Sequence, residues 1–430
     1  MLFRDGDAGM GVSFSRFAQN LTVETAFNVL ARAKQLMARG KDIVELEIGD
    51  SPFPSTLHAK LAGKAAIDAD LTHYCPSDGL PEVREAIARY MSARYRVEIS
   101  AGNVVVGPGA KIFELFFCQL FLDPGDGVLV FSPYFPTYVP NILSRGARIC
   151  FSPLRQERGF RPDLREVERF LAEDPRPKAI FLNSPHNPTG GVATWEDLEG
   201  LARLIAGRPV AIFSDEPYDR MVWQGEHRSL IQIPEMLEQT LAVYTFSKSY
   251  SMSGWRVGYG VTSARIASML GQLINTTLSC TPPLVQLAAK AALENDEEES
   301  HQMMARFRRK VELLVDGLNR IEGVHCLMPG GTFYVFPRVA PICNRLGITS
   351  HGLALYLLEE ADDQFGVACL GGECFGEAGH GFLRFSCAAE DERILQAVAF
   401  LPEAFDRANR VQRFLENHPE YRLSAPYPNE

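Results

Sequence analysis

Between about residues 100 and 265 the chain alternates short, unbroken apolar runs with longer mixed segments. The runs are VVV (104–106), GVLVF (127–131), ARICF (147–151), KAIFLN (178–183), PVAIFSD (209–215), LAVYTF (241–246) and VGYGV (257–261). Apolar runs this short, without polar alternation, predict strands buried on both faces, as in a mostly parallel sheet. Segments of helical length lie between them, such as IFELFFCQLFL (112–122). Another starts at Thr194, where T-W-E-D offers a capping hydroxyl followed by acidic first-turn residues. The pattern predicts an α/β architecture with helices on both sides of the sheet.

Residues 297–323 carry the dense charge and apolar spacing of an amphipathic helix. They are read as a bridge to a second, smaller unit. That unit is expected to hold TFYVF (332–336), a helix near 351–362 and FLRFS (382–386). The expected division is a large α/β domain over residues 59–296 and a small α+β domain built from 1–58 and 297–430. The last dozen residues, rich in Pro, Tyr and Asn, are expected to form a loose tail.

Composition narrows the class. A chain of 430 residues is too long for one hydrophobic core. Its net charge of −10 argues against a general nucleic-acid binder, which needs a basic surface. The nine cysteines form no C-x-x-C pair and are odd in number, so a reducing cytoplasm fits better than a disulfide framework or a zinc site. The N-terminus, MLFRDGDAGMGVSF, lacks the basic-then-apolar pattern of a signal peptide. The most apolar run, 112–122, is too short to span a bilayer. No internal repeat or low-complexity tract stands out.

In open α/β sheets, ligands bind beyond the carboxyl ends of the strands. The residues at those exits are unusual. GPGAK (107–111) follows the first run and sets glycine-permitted backbone at a helix start, where free N–H groups bind phosphate oxygens. An ordinary tight turn would read the same way. NSPHNPTG (183–190) carries Asn187 in a good turn sequence. Asp215 ends a strongly apolar strand, so its carboxylate calls for a cationic partner, either a structural ion pair or a protonated ring nitrogen. Tyr218 lies three residues on. Phe135, in SPYFPTY (132–138), is a core aromatic or a face for a planar ring. Lys248 sits in TFSKSYSMSGWR (245–256) among Thr245, Ser247, Ser249, Ser251 and Ser253, with Arg256 closing the stretch. Alternating hydroxyls also suit a half-exposed strand. Arg384, in an apolar strand, is paired structurally or grips a carboxylate. A lysine, an aspartate, a phosphate cradle, a stacking aromatic and a carboxylate clamp together describe a site for pyridoxal 5'-phosphate.

At this point the chain resembles the class I/II aminotransferases, fold-type I pyridoxal-phosphate enzymes, and bacterial aspartate aminotransferases in particular. The resemblance covers roughly residues 40 to 400. It rests on HYCPSDGLPEVREAI, GPGAK, SPYFPTY, NSPHNPTG, SDEPYDR, SKSYSMSGWRVGY, PGGTFYVF and FLRFSCA, which occur in the family's order. The resemblance implies a large seven-stranded, mostly parallel domain with a smaller α+β one. It implies that Lys248 bonds the cofactor covalently and that Asp215 keeps its ring nitrogen protonated. Asn187 and Tyr218 would bond its phenolic oxygen, and Phe135 would stack on the ring. Gly109, Ala110, Lys111, Thr245, Ser247 and Arg256 match the phosphate-holding positions. Tyr74 matches a tyrosine that reaches the phosphate of a neighbouring subunit, which implies a homodimer. Arg384 matches the residue that binds the substrate α-carboxylate, and Gly49 a glycine whose backbone lies beside the substrate.

The expected reaction moves an amino group between an L-amino acid and a 2-oxo acid. Lys248, neutral when it acts, would carry the α-proton. Lyases and synthases of the same fold use the same lysine and aspartate, and a ligand-sensing domain without catalysis is a more remote alternative. Lys111 matches a position that contacts a side-chain carboxylate in some bacterial aspartate and prephenate aminotransferases, and reads equally as a surface lysine at a helix start; aspartate or glutamate is the default donor. SPYFP and SCTPP (279–283) suggest apolar pocket walls, which would also accept aromatic or aliphatic side chains.

Overall fold

The computed structural model describes residues 12–19, 21 and 25–428. The stretch read above for a targeting signal falls mostly outside them. The strands are β1 (Asp42–Glu45), β2 (Val104–Gly107), β3 (Gly127–Ser132), β4 (Arg148–Pro153), β5 (Pro177–Asn183), β6 (Ala211–Asp215), β7 (Thr240–Thr245), β8 (Gly258–Val261), β9 (Tyr334–Val335), β10 (Phe365–Ala368), β11 (Leu370–Gly371) and β12 (Leu383–Ser386). Seven of them form one sheet in the order β2-β8-β7-β6-β5-β3-β4. β8 runs antiparallel to both its neighbours, and the other pairings are parallel. Six strands therefore point one way, and their exits share one rim. The reversed β8 starts at that same rim, which brings Arg256, just before it, beside residues that follow the other strands.

β2, β3, β6 and β8 are buried on both faces, as their apolar runs predict. β4 departs from that reading. It is one of the sheet's two edge strands, and its residues are largely part-exposed, with Phe151 46% exposed and stacked on Tyr134 at 5.2 Å, whereas β2 at the other edge is buried throughout. An apolar run alone does not tell an edge strand from a central one. The helix Lys111–Phe121 packs Phe117 against Phe181 and Phe213, both at 5.4 Å. Each such buried ring contributes roughly 1.5–3 kcal/mol. That packing fixes the helix start, and GPGA before it, at the rim. The helix after β5 is capped as expected: Thr194 Oγ1 accepts from Asp197 N, and Asp197 Oδ2 accepts from Thr194 N at 2.9 Å.

β1 pairs parallel to β10, so residues near the chain's start join those near its end. β11, β12 and β9 form a third, antiparallel sheet. The helix Glu297–Leu318 stops short of residue 323 and buries Met303, Met304, Phe307, Val311 and Leu314. The expected strand 332–336 is only two residues long, because Thr332 takes a positive φ of 67° and turns the chain. The expected loose tail is docked instead. Tyr427 is buried, its hydroxyl donates to Glu373 Oε1 at 2.6 Å, and its N–H donates to Asn344 Oδ1 at 2.8 Å. Polar composition concealed an aromatic anchor. No helix among the described residues is long and apolar enough to cross a membrane.

Candidate active site

The rim of strand exits encloses a cavity of about 500 Å3. Twelve of the fourteen residues singled out from sequence line it; Gly109 and Tyr74 do not. Gly109 sits directly behind, at φ +87°, where a Cβ would come within 2.5 Å of Arg256 Nη2. The bare backbone lets the guanidinium lie against the helix start. Tyr74 is 87% exposed on the single chain.

Asp215 ends β6 and is buried. Among the described residues no cation pairs with it. Tyr138 donates its hydroxyl to Oδ2 at 2.5 Å. Burial pushes the Asp215 pKa up to about 6, against the pull of Tyr138 and the Lys111 charge. A carboxylate so placed gains from any cation that enters the cavity. Next to it, Asn183 closes the gap between β5 and β6. Its Nδ2 donates to Asp215 O and its Oδ1 accepts from Asn187 N, both at 2.8 Å.

Lys248 follows the end of β7, and its Nζ donates to Gly49 O at 2.5 Å. Thr245 Oγ1 donates to Ser247 Oγ at 2.9 Å. Arg256 is held in the left-handed region at φ 53°, its Nη1 on Ser253 O at 2.8 Å. The backbone start of the helix after Ala110, two hydroxyls and a guanidinium make a compact anion cradle. Phe135 borders the same space, with Lys111 Nζ 5.1 Å from its ring centroid. The serines beyond Lys248 are accounted for in part. Ser251 Oγ and Ser51 Oγ lie 2.6 Å apart, and Ser251 O accepts from Ser55 Oγ at 2.7 Å, tying residues 51–55 to this stretch.

Arg384 enters from β12 and is 3% exposed. Its Nη1 donates to Asn187 Oδ1 at 3.0 Å, and its Nη2 donates to Glu47 O. Its Nε has no partner among the described residues. The guanidinium lies 4.3 Å from the Tyr334 ring centroid and 5.0 Å from that of Phe375.

Several lining residues escaped the sequence reading. Tyr334 lies within PGGTFYVF and Tyr138 within SPYFPTY, both motifs that were in view; no role pointed to either residue. The Tyr334 hydroxyl would stand 1.6 Å from a Cβ at Gly49, so this glycine makes room for the ring. Ser253 and Gly254 also line the cavity, as does Glu114 from inside an apolar helix. The expected wall from 279–283 is not among the lining residues. Within it Thr281 is buried, its Oγ1 donating to Val106 O at 3.4 Å and its O accepting from Gln286 at 2.7 Å, while Ser279 and Pro282 are exposed.

The donor set fits pyridoxal phosphate. The buried carboxylate has no cation paired with it among the described residues, the glycine-backed cradle suits a phosphate, and a lysine lies within the same walls. A family model for aminotransferase class I and II matches residues 41–401. The chain belongs to that family. It is 34% identical over 392 residues to a probable aspartate/prephenate aminotransferase of Aquifex aeolicus, covering 90% of this chain and 97% of the relative. It is 33% identical over 389 residues to an arginine–pyruvate transaminase of Pseudomonas aeruginosa, covering 89% and 96%. Among solved structures, aspartate aminotransferase from Thermus thermophilus with maleate superposes with a TM-score of 0.85 at 32% identity, covering 92% of this chain and 100% of that one. This aminotransferase has the fold-type I architecture and is a pyridoxal-phosphate enzyme acting between an amino acid and a 2-oxo acid.

Proposed function

We propose that the cavity is the site of transamination and that Lys248 carries both the cofactor and the migrating proton. The observation behind this reading is the meeting of Lys248, Asp215 and Arg384 in the lining of one cavity. Pyridoxal phosphate, when bound, supplies an aldehyde that condenses with amino groups and a ring that takes up the electron pair left by the α-proton. In this reading Asp215 holds a proton on the ring nitrogen. Tyr218 and Asn187 hydrogen-bond the ring oxygen, and Phe135 covers one face. Gly109, Ala110, Lys111, Thr245, Ser247 and Arg256 hold the phosphate. Arg384 grips the substrate α-carboxylate, with Gly49 alongside. Lys248 Nζ takes the proton from the substrate α-carbon and returns it on the other side of the exchange. Tyr74 completes the phosphate site of a second copy, so the working unit is a homodimer.

For the donor we favour a dicarboxylic amino acid, aspartate or glutamate. Support comes from the names of the aspartate-type relatives and from Lys111 in the cavity wall. The test is the visible spectrum of the purified holoenzyme with L-aspartate, L-glutamate, L-alanine and L-phenylalanine added separately. The yellow band of the lysine-bound cofactor should bleach with L-aspartate or L-glutamate and return with a 2-oxo acid. Lys248→Ala should lack the band and lose turnover by at least about 10^4-fold, as expected for loss of both a nucleophile and a proton carrier. Release of ammonia without return of the band would point to a lyase instead.

A further inference from the structure

Glu47 lies two residues before Gly49, on the chain that runs from β1 into the cavity. It is fully buried, and neither carboxylate oxygen has a hydrogen-bond partner among the described residues. An unpaired buried carboxylate is strongly disfavoured, so it either takes a proton or answers to a nearby charge. Arg384 is one such charge. The backbone oxygen of Glu47 accepts from Arg384 Nη2, and the guanidinium's Nε is left without a partner. Arginine and carboxylate share one dry environment without bonding each other directly.

The other charged or titratable groups facing Glu47 are few. Lys34, from the helix Thr25–Ala38, is tied to Glu45 at 2.7 Å. Cys369, between β10 and β11, has its thiol pushed up by burial and then by Glu47. Burial lifts the Glu47 carboxyl to about 7; its own backbone N–H draws it down, Glu45 adds to the rise, and Lys34 and then Arg384 draw it down further. A substrate carboxylate arriving at Arg384 adds a second anion to the same guanidinium, in a medium that screens poorly. The anionic form of Glu47 then loses part of the compensation that Arg384 gives it.

We infer that binding of a substrate carboxylate at Arg384 is coupled to uptake of one proton from solvent by the buried Glu47 carboxylate. Glu47 is thus a positioning residue that sets the charge state around the clamp without touching the substrate. The inference rests on the reading of Arg384 proposed above. Its direction is fixed: a protonated Glu47 favours the incoming anion, so affinity falls as pH rises.

The experiment is calorimetric titration of the holoenzyme with maleate in two buffers of different protonation enthalpy, at about pH 7.5. The cofactor's own proton is counted separately from its visible band. Wild type should take up as much as about one proton per site more than Glu47→Gln. Its affinity should fall by up to about tenfold per pH unit above about pH 7, while Glu47→Gln follows a flatter profile. Equal uptake in the two proteins, with binding still abolished by Arg384→Ala, would overturn the coupling and leave the arginine's role standing. Maleate binding that survives Arg384→Ala would overturn both. Should Glu47→Gln fail to fold, infrared difference spectra of wild type with 13C-labelled maleate decide the matter. A new, unlabelled band of a protonated carboxyl on binding supports the proton uptake, and its absence refutes it.

Discussion

At the scale of single residues, Asp215 and Tyr138 are the most informative pair. The hydroxyl of Tyr138 stabilises the carboxylate form at the floor of the cavity, where burial works against it. Removing that donor leaves a buried acceptor unsatisfied, a cost of about 1–3 kcal/mol. Tyr138→Phe should therefore push the Asp215 pKa higher and weaken its hold on a protonated ring nitrogen. We expect kcat to fall by about 5- to 150-fold, with little change in fold. Circular dichroism should be unchanged, and a kcat equal to wild type would deny Tyr138 this part. Sequence reading found Asp215 because a carboxylate ending an apolar strand is anomalous. It gave Tyr138 no role because a tyrosine among aromatics is ordinary, and only the crossing of β6 with the helix Tyr138–Leu143 aims its hydroxyl.

At the scale of elements, the docked C-terminal stretch shows where composition misleads. Pro, Tyr and Asn suggest a loose end, yet Tyr427 seals against Asn344, Ser350 and Glu373. Tyr427→Phe removes two hydrogen bonds, the hydroxyl's donation to Glu373 and its acceptance from Ser350 N, and should cost about 1–2 kcal/mol. Tyr427→Ala also vacates the ring's site and should cost about 3 kcal/mol. Urea unfolding midpoints of the three proteins check the order, and an alanine variant as stable as wild type would show the docking to be incidental. The interior strands were the most legible elements, because burial on two faces leaves an apolar run that nothing else of that length explains. The exposed edge strand β4 looked the same in sequence as β2, the buried strand at the other edge, since exposure there depends on what packs against the strand.

At the scale of the whole molecule, buried titrating groups set the pH response. Burial holds Glu216 up to about 8, although Tyr244, Ser214 and Ser229 all donate to it. The folded chain therefore keeps a proton that the unfolded chain has released. That contribution is fully present below the ordinary carboxylate value and is lost as pH rises through about 8. His186 and His227 act in the opposite sense, being pushed down to about 3 and about 4 by burial. Their contribution is present above the usual histidine value of 6.5 and is lost as pH falls. From about pH 6.5 to 8 only the carboxyls change the balance, so Tm should decline across that window. Glu216→Gln should decline less steeply, and parallel curves would remove Glu216 from the account.

The proposed dimer is tested at the same scale. Tyr74→Phe alone should weaken cofactor binding by about 10- to 150-fold, the loss of one charge-assisted hydrogen bond. If Tyr74 acts across the interface, mixing Tyr74→Phe with Lys248→Ala subunits should restore one intact site per mixed dimer. Activity that stays at the level of the separate variants after exchange would place Tyr74 outside the neighbouring site.

The sequence by itself determined the sheet, the strand exits and the chemistry gathered at them, because burial and turn geometry act over a few residues and leave local patterns. What only the tertiary structure decided are the relations between distant segments. Gly49 gives space to Tyr334, Asn183 joins β5 to β6, and Glu47 lies unpaired beside Arg384. Such relations depend on which faces meet after folding, and a local pattern carries no record of its partner.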